Sequence, residues 1–181
     1  MAQSVKRRLG YDDLADMPDD GLIREILDGH LFVTPSPAPI HQRVSKRLAR
    51  QLEAYFEGRG LGEVFTAPLD TILGPHDVAE PDLMVVTDPA LVTQRAIEGA
   101  PALVVEVLSP STAHRDRVVK ARRYARAGIA DYLIVDIDRR RIECHRLQGG
   151  EYELMVVAED DETLTHPHWP GLTIDLAALW R

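Results

Sequence analysis

Two nearly unbroken apolar runs, Leu83-Met84-Val85-Val86 and Ala102-Leu103-Val104-Val105-Glu106-Val107-Leu108, constrain this chain most. Runs without polar alternation suit strands covered on both faces, since a sheet with one wet face alternates apolar and polar residues. They are expected to be central strands, flanked by the helical segments that precede and follow them. The coarse order of helix, strands, helix, strands then favours an α/β domain with a mixed central sheet and helices on its faces. A pure bundle or a pure sandwich is excluded. At 181 residues the chain has room for one domain spanning 1–181, and is short for two.

The elements around these runs are readable from local chemistry. Tyr11 to Met17 reads as a short helix stopped by Pro18, with a turn at Asp19-Asp20-Gly21. Leu22 to Leu27 and Leu31 to Val33 flank Asp28-Gly29, a strong hairpin signal. After Pro35, Pro37 and Pro39 the period becomes helical: Val44, Leu48, Leu52 and Tyr55 share one face from about Ile40 to Glu57, while Arg43, Lys46, Arg47 and Arg50 share another. Glu63 to Ala67 and Leu69 to Leu73 read as strands, followed by a turn at Gly74-Pro75-His76-Asp77. A helix is expected from about Ala113 to Ala127, closed by Gly128. Strands follow at Asp131 to Asp136, Arg141 to Leu147 and Tyr152 to Val157, with a short final helix that packs Trp180 back onto the domain.

Composition narrows the function classes. With 45% hydrophobic and 28% charged residues, the chain has the balance of a folded globular protein. Its apolar runs are far shorter than the roughly 20 residues of a membrane helix. Lys6-Arg7-Arg8 is soon followed by Gly10-Tyr11-Asp12-Asp13 rather than by the apolar stretch of a secretory signal, so the expected compartment is the cytosol, with no membrane contact. Cys144 is the one cysteine, which excludes an internal disulfide and a cysteine-based zinc site. Any bound metal must be held by oxygen or imidazole. A net charge of −8 argues against broad affinity for nucleic acid, although Arg43 to Arg50 and Arg115 to Arg126 concentrate positive charge locally.

Chemistry points to the acids in the apolar runs. An unpaired buried carboxylate costs several kcal/mol or must take up a proton. Asp82 opens one run directly after Pro81, and Glu106 interrupts the other between Val105 and Val107. At corresponding ends of neighbouring strands the two acids would repel unless a cation lay between them, and a hard ion such as Mg²⁺, or Mn²⁺, suits oxygen ligands. Taken singly, either acid could instead cap a turn or pair with an arginine. On a helical wheel Lys120 falls between Tyr124 and Ala127, away from Arg115, Arg122 and Arg126, so it can point inward, or pack its stem and keep its head in water. Asp116 lies four residues before Lys120, the spacing of a helical ion pair.

These residues carry a family resemblance. Pro81-Asp82, with Glu106 in a hydrophobic strand 24 positions later, resembles the PD-(D/E)XK nuclease signature, except that Leu108 stands where its lysine belongs. The segments Glu25-Ile26-Leu27-Asp28-Gly29, Pro35-Ser36-Pro37 with His41, Pro81-Asp82-Leu83, Val105 to Ser111, Asp116 with Lys120 and Tyr124, and Asp131 to Asp136 resemble, in that order, the Uma-type bacterial restriction endonucleases, a branch in which the lysine has migrated to the following helix. The resemblance runs from about Tyr11 to Leu179 and implies a restriction-endonuclease-like fold with an added N-terminal hairpin and C-terminal strands. It implies that Asp82, Glu106 and the Val107 carbonyl ligate Mg²⁺, that Lys120 serves the attacking water or the phosphate, and that Glu25 adds an acid to the metal shell. Glu25 as a strand-surface glutamate is an equal alternative. His41 either touches a phosphate or caps the turn after Pro39, and Arg43, Arg47 and Arg50 either track a nucleic-acid backbone or form a solvated face. The implied activity is metal-dependent hydrolysis of DNA. Hydrolysis of RNA or another phosphate ester, and a non-catalytic binding or assembly module, stand as alternatives, and the unpaired sheet edge leaves room for a homodimer.

Overall fold

The structure, a computed structural model, describes residues 7–18 and 20–181; Lys6 and Asp19, placed above in the basic start and in a turn, lie outside the described residues. In chain order the elements are α1 (Tyr11–Ala15), β1 (Ile23–Leu27), β2 (His30–Thr34), α2 (Pro39–Phe56), β3 (Glu63–Thr66), β4 (Thr71–Gly74), β5 (Asp77–Ala79), β6 (Leu83–Val86), β7 (Ile97–Glu98) and β8 (Leu103–Val107). A π-helical turn (Arg115–Lys120) then leads into α3 (Ala121–Ala127), β9 (Asp131–Asp136), β10 (Arg141–Gln148), β11 (Glu151–Glu159), β12 (Thr163–Thr165), β13 (Thr173–Asp175) and α4 (Leu176–Trp180).

The two apolar runs are indeed central. Six strands pair in the order β11-β10-β9-β8-β6-β3, with β8 parallel to β9 and antiparallel to β6. Because side chains alternate along a strand, odd-numbered residues of β6, β8 and β9 face one way and even-numbered ones the other. Leu83, Val85, Leu103, Val105 and Leu133 pack under α2 and the C-terminal segment, against Val44, Leu48, Leu52, Ile174 and Leu176. Met84, Val104, Tyr132 and Ile134 pack on the opposite face with Tyr124 of α3 and with Leu27 and Ala79 of the second sheet. Glu106 belongs by parity to this second face, the one that meets the π turn.

A smaller sheet, β2-β1-β5-β4-β7, leans on that face. Its hairpin turns where the sequence places it: Asp28 and Gly29 both hold positive φ, 55° and 76°, as a tight two-residue hairpin demands. Two readings need correction. The strands flanking Pro68 go to different sheets, and the expected turn at Gly74 to Asp77 gives its last residue to β5, a three-residue strand too short to show a period. The helix after Ser111 is not uniformly α: residues 115–120 adopt π geometry, with a wider turn than the wheel assumed.

The basic face of α2 is also divided. Arg43, Lys46 and Arg50 are exposed, whereas Arg47 turns to the chain's end and donates to the carbonyls of Leu179, at 2.8 Å, and Arg181. It ties α2 to the C-terminal end of α4. Trp180 packs back as expected, donating from Nε1 to the Asp160 carbonyl at 2.7 Å.

Candidate active site

The antiparallel register of β6 and β8 pairs Leu83 with Val105, so one step outward sets Asp82 opposite Glu106. The backbone completes the link: the Val107 N–H donates to Asp82 Oδ2 at 2.7 Å. Both acids open into a cleft of about 1120 Å³ between the two sheets, α2 and the π turn, whose walls include Glu25, His41, Glu80, Arg115, Asp116 and Lys120.

Lys120 is the centre of the arrangement. Its Nζ lies 2.6 Å from Glu106 Oε1 and 2.7 Å from Glu25 Oε1, with its side chain only 2% exposed. Burial alone would drive off its proton, but Glu106, Glu25 and Asp116 outweigh that and hold the ammonium well above its usual range. Glu106 is pushed upward by burial, against the pull of Lys120 and with Asp116, Asp82 and Glu25 adding repulsion. The Tyr124 hydroxyl donates to the same Glu106 Oε1 at 2.5 Å, fixing the carboxylate from the helix side.

The π turn explains how a lysine on this helix reaches the acids. In an α-helix Asp116 and Lys120 would stack at i, i+4 and pair; with the wider turn Lys120 pairs instead with Glu25 and Glu106. Asp116 is buried, hydrogen-bonded through Thr112, and raised by burial against the pull of Lys120, while its Oδ1 has no hydrogen-bond partner among the described residues. The same geometry brings in Arg115, which the α wheel had set apart: it donates to Thr34 Oγ1 at 2.9 Å and lies 3.4 Å from Glu25 Oε2.

Glu25 is buried, so it is not the strand-surface glutamate of the alternative reading. Its Oε1 takes Lys120 and the Glu80 N–H, at 3.0 Å, and its Oε2 faces Arg115, so both oxygens already serve cations or the backbone. His41 reaches across to β8 and the acid pair. Its Nε2 lies 2.7 Å from the Val107 carbonyl oxygen and 3.3 Å from Asp82 Oδ2, and Asp82 outweighs burial to raise its pKa. Of the basic residues on α2, Lys46 and Arg50 line the cleft, and Arg43 and Arg47 do not.

Sequence reading missed Glu80. It sits two residues before Asp82, lines the cleft, and is pushed up to about 7 by burial, Asp70 and Glu25, with Oε2 buried and unpartnered among the described residues. Its only sequence signal was position, immediately before Pro81-Asp82.

The mixed sheet thus presents an acid pair and a buried lysine at one end. The fold likeness is direct: a crystal structure described as a putative nuclease belonging to DUF820, from Anabaena variabilis, superposes with a TM-score of 0.78 and 18% identity, over 95% of this chain and 97% of that one. An uncharacterised protein of Synechocystis is 31% identical over 134 residues, covering 72% of this chain and 70% of that protein. The Uma2 family model, described as "Putative restriction endonuclease", matches residues 11–177, and the chain belongs to that family.

Proposed function

We propose that this chain is a divalent-metal-dependent nuclease that hydrolyses DNA phosphodiester bonds in the cleft at Asp82 and Glu106. The observation that carries the reading is Lys120, buried and within 2.7 Å of both Glu106 and Glu25, where a lysine migrated onto the helix has to be. The donor set fits a hard cation. Glu25, Glu80, Asp82, Glu106 and Asp116 line the cleft against Lys120, Arg115 and His41, and the orphaned Glu80 Oε2 and Asp116 Oδ1 mark unmet demand for positive charge. Asp82 and Glu106 would hold Mg²⁺ or Mn²⁺, and the Val107 carbonyl could join once His41 yields it. Such an ion supplies Lewis-acid polarisation and a more acidic water.

The chain's own groups do the rest. Glu25 and Tyr124 fix Lys120 and Glu106, so the ammonium presents a preorganised positive charge as negative charge builds on a phosphate. Lys46, Arg50 and Arg115 line the walls a backbone would follow. The acidic balance of the chain keeps RNA or another phosphate ester as the second reading, since a small or structured substrate demands less basic surface. A homodimer belongs to the proposal through β11, which ends the six-stranded sheet with Leu154, Met155 and Val157 exposed; light scattering of the purified chain tests it, and a monomer at all concentrations removes it.

The function is tested by incubating the protein with single-stranded DNA, duplex DNA and RNA in Mg²⁺ or Mn²⁺. DNA hydrolysis is expected, falling by about 100-fold or more in Asp82→Ala while the fold is kept. Hydrolysis of RNA alone would move the substrate class, and no hydrolysis of any would leave a non-catalytic binding module.

A further inference from the structure

A second group of ligating side chains lies on the opposite face of the central sheet. Asp131 opens β9, paired with Leu103 at the start of β8, and its odd-numbered position turns it toward the C-terminal segment, away from Glu106. It is fully buried. One of its oxygens is held firmly: Oδ2 accepts from Arg146 at 2.8 Å and from Trp169 Nε1 at 3.0 Å. The other makes no hydrogen bond among the described residues. That orphaned Oδ1 faces two imidazoles, His166 Nε2 and His168 Nδ1, each 3.9 Å away. This spacing is too long for a hydrogen bond and wide enough to admit an ion.

We propose that Asp131, His166 and His168 form a structural site for a divalent transition metal of the zinc class, separate from the cleft. One donor atom from each residue lies within 4.8 Å of the other two, the one such trio among the described residues. Tetrahedral zinc with bonds near 2.0–2.1 Å would draw the donors to about 3.4 Å apart, a contraction of roughly half an ångström for the two Asp131–His pairs. The donor set of two imidazoles and one carboxylate suits zinc-class ions rather than Mg²⁺. Arg146 and Trp169 act as the outer partners that orient the carboxylate.

Binding carries a structural signature. His166 Nδ1 now accepts the His168 N–H at 3.2 Å, so the ring proton sits on Nε2, beside Cys144 Sγ at 3.3 Å. An ion at Nε2 moves that proton to Nδ1 with no net release, and the His168 N–H must turn away. The ion would thereby pin the connection between β12 and β13 to the central sheet.

The test uses the whole chain with Co²⁺ or Zn²⁺ alone. Co²⁺ titration should give intense tetrahedral bands that saturate at one ion per chain in Asp82→Ala, where the cleft no longer competes, and that are lost in His168→Gln. Zn²⁺ at about 100 times its Kd should raise the Tm of Asp82→Ala by roughly 5–10 °C and leave that of the double variant Asp82→Ala, His168→Gln unmoved. The His168 side chain is 33% exposed, which makes it the gentlest ligand to replace. If that variant fails to fold, imidazole ¹⁵N shifts of the wild type with Zn²⁺ decide instead, and a His166 that keeps its Nε2 proton overturns the site. Bands that survive His168→Gln but vanish in Asp82→Ala would place the ion in the cleft and overturn it. So would the absence of both bands and stabilisation.

Discussion

The π turn feeds two carboxylate clusters of opposite character. On one side Lys120 meets Glu25 and Glu106, with Asp116 and Glu80 near by, and burial pushes Glu106, Asp116 and Glu80 upward. On the other side Arg117 meets Glu143 at 2.5 Å and Asp136 at 3.4 Å. Burial opposes ionisation there too, but His145, Arg117 and Arg141 outweigh it at Glu143, and Arg139 with Arg117 outweighs it at Asp136, so both acids are held below their usual range. The difference is one of stoichiometry. The Arg117 cluster has cations enough and is a strut, whereas the Lys120 cluster has more acids than cations and keeps room for another positive charge.

Deleting the cation from each cluster should separate them most. Lys120→Met leaves Glu25 and Glu106 buried without their ammonium and should cost about 3–5 kcal/mol. Arg117→Met leaves Arg141, His145 and Arg139 in place and should cost about 1 kcal/mol or less. Urea unfolding of both variants measures the gap, and equal losses would end the distinction between the clusters.

Acid titration should give slopes of opposite sign. Glu143 has a folded pKa below its unfolded value of about 4.3, so its stabilisation is present above that pH and is lost as pH falls below it. Glu80, raised to about 7, favours the folded state at low pH and loses that contribution as pH rises from about 4.3 toward 7. Glu143→Gln should therefore flatten the acid limb of a Tm–pH profile, and Glu80→Gln the neutral limb. Slopes of the same sign would contradict the assignment.

The smallest effect is a change of sign. Asp116→Asn removes surplus charge and should shift stability by less than about 1 kcal/mol in the favourable direction, while weakening Mn²⁺ binding. Asp136→Asn removes a paired charge and should destabilise by a similar amount. Paired melts with and without Mn²⁺ give both answers; destabilisation by Asp116→Asn would mean that the cleft is not acid-rich in the sense described.

What sequence alone conveyed follows from range. Asp82, Glu106 and the strands that carry them were legible because an acid inside an apolar run is a local anomaly. The hairpin at Asp28-Gly29 and the helix bearing Val44, Leu48 and Leu52 were legible through turn chemistry and period. The inward course of Lys120, one of two that the wheel left open, has a cause the wheel could not supply, since the α period hides a π turn that only tertiary pairing reveals. Arg115 was misassigned for the same reason. Glu80 and the partners of Arg47 depend on contacts across 55 and 132 positions, to Glu25 and Leu179, which no local pattern encodes.

Burying Lys120 has a chemical consequence. The chain has three lysines, Lys6, Lys46 and Lys120. Amine reagents attack the unprotonated, accessible amine, and Lys120 is neither, whereas Lys46 is exposed. Acetylation of the native protein should mark Lys46 rapidly and leave Lys120 unmodified until the cleft wall parts. The ratio of the two modified peptides in a mass spectrum is thus a clock for cleft opening, and a divalent ion held at Asp82 and Glu106 should slow it further.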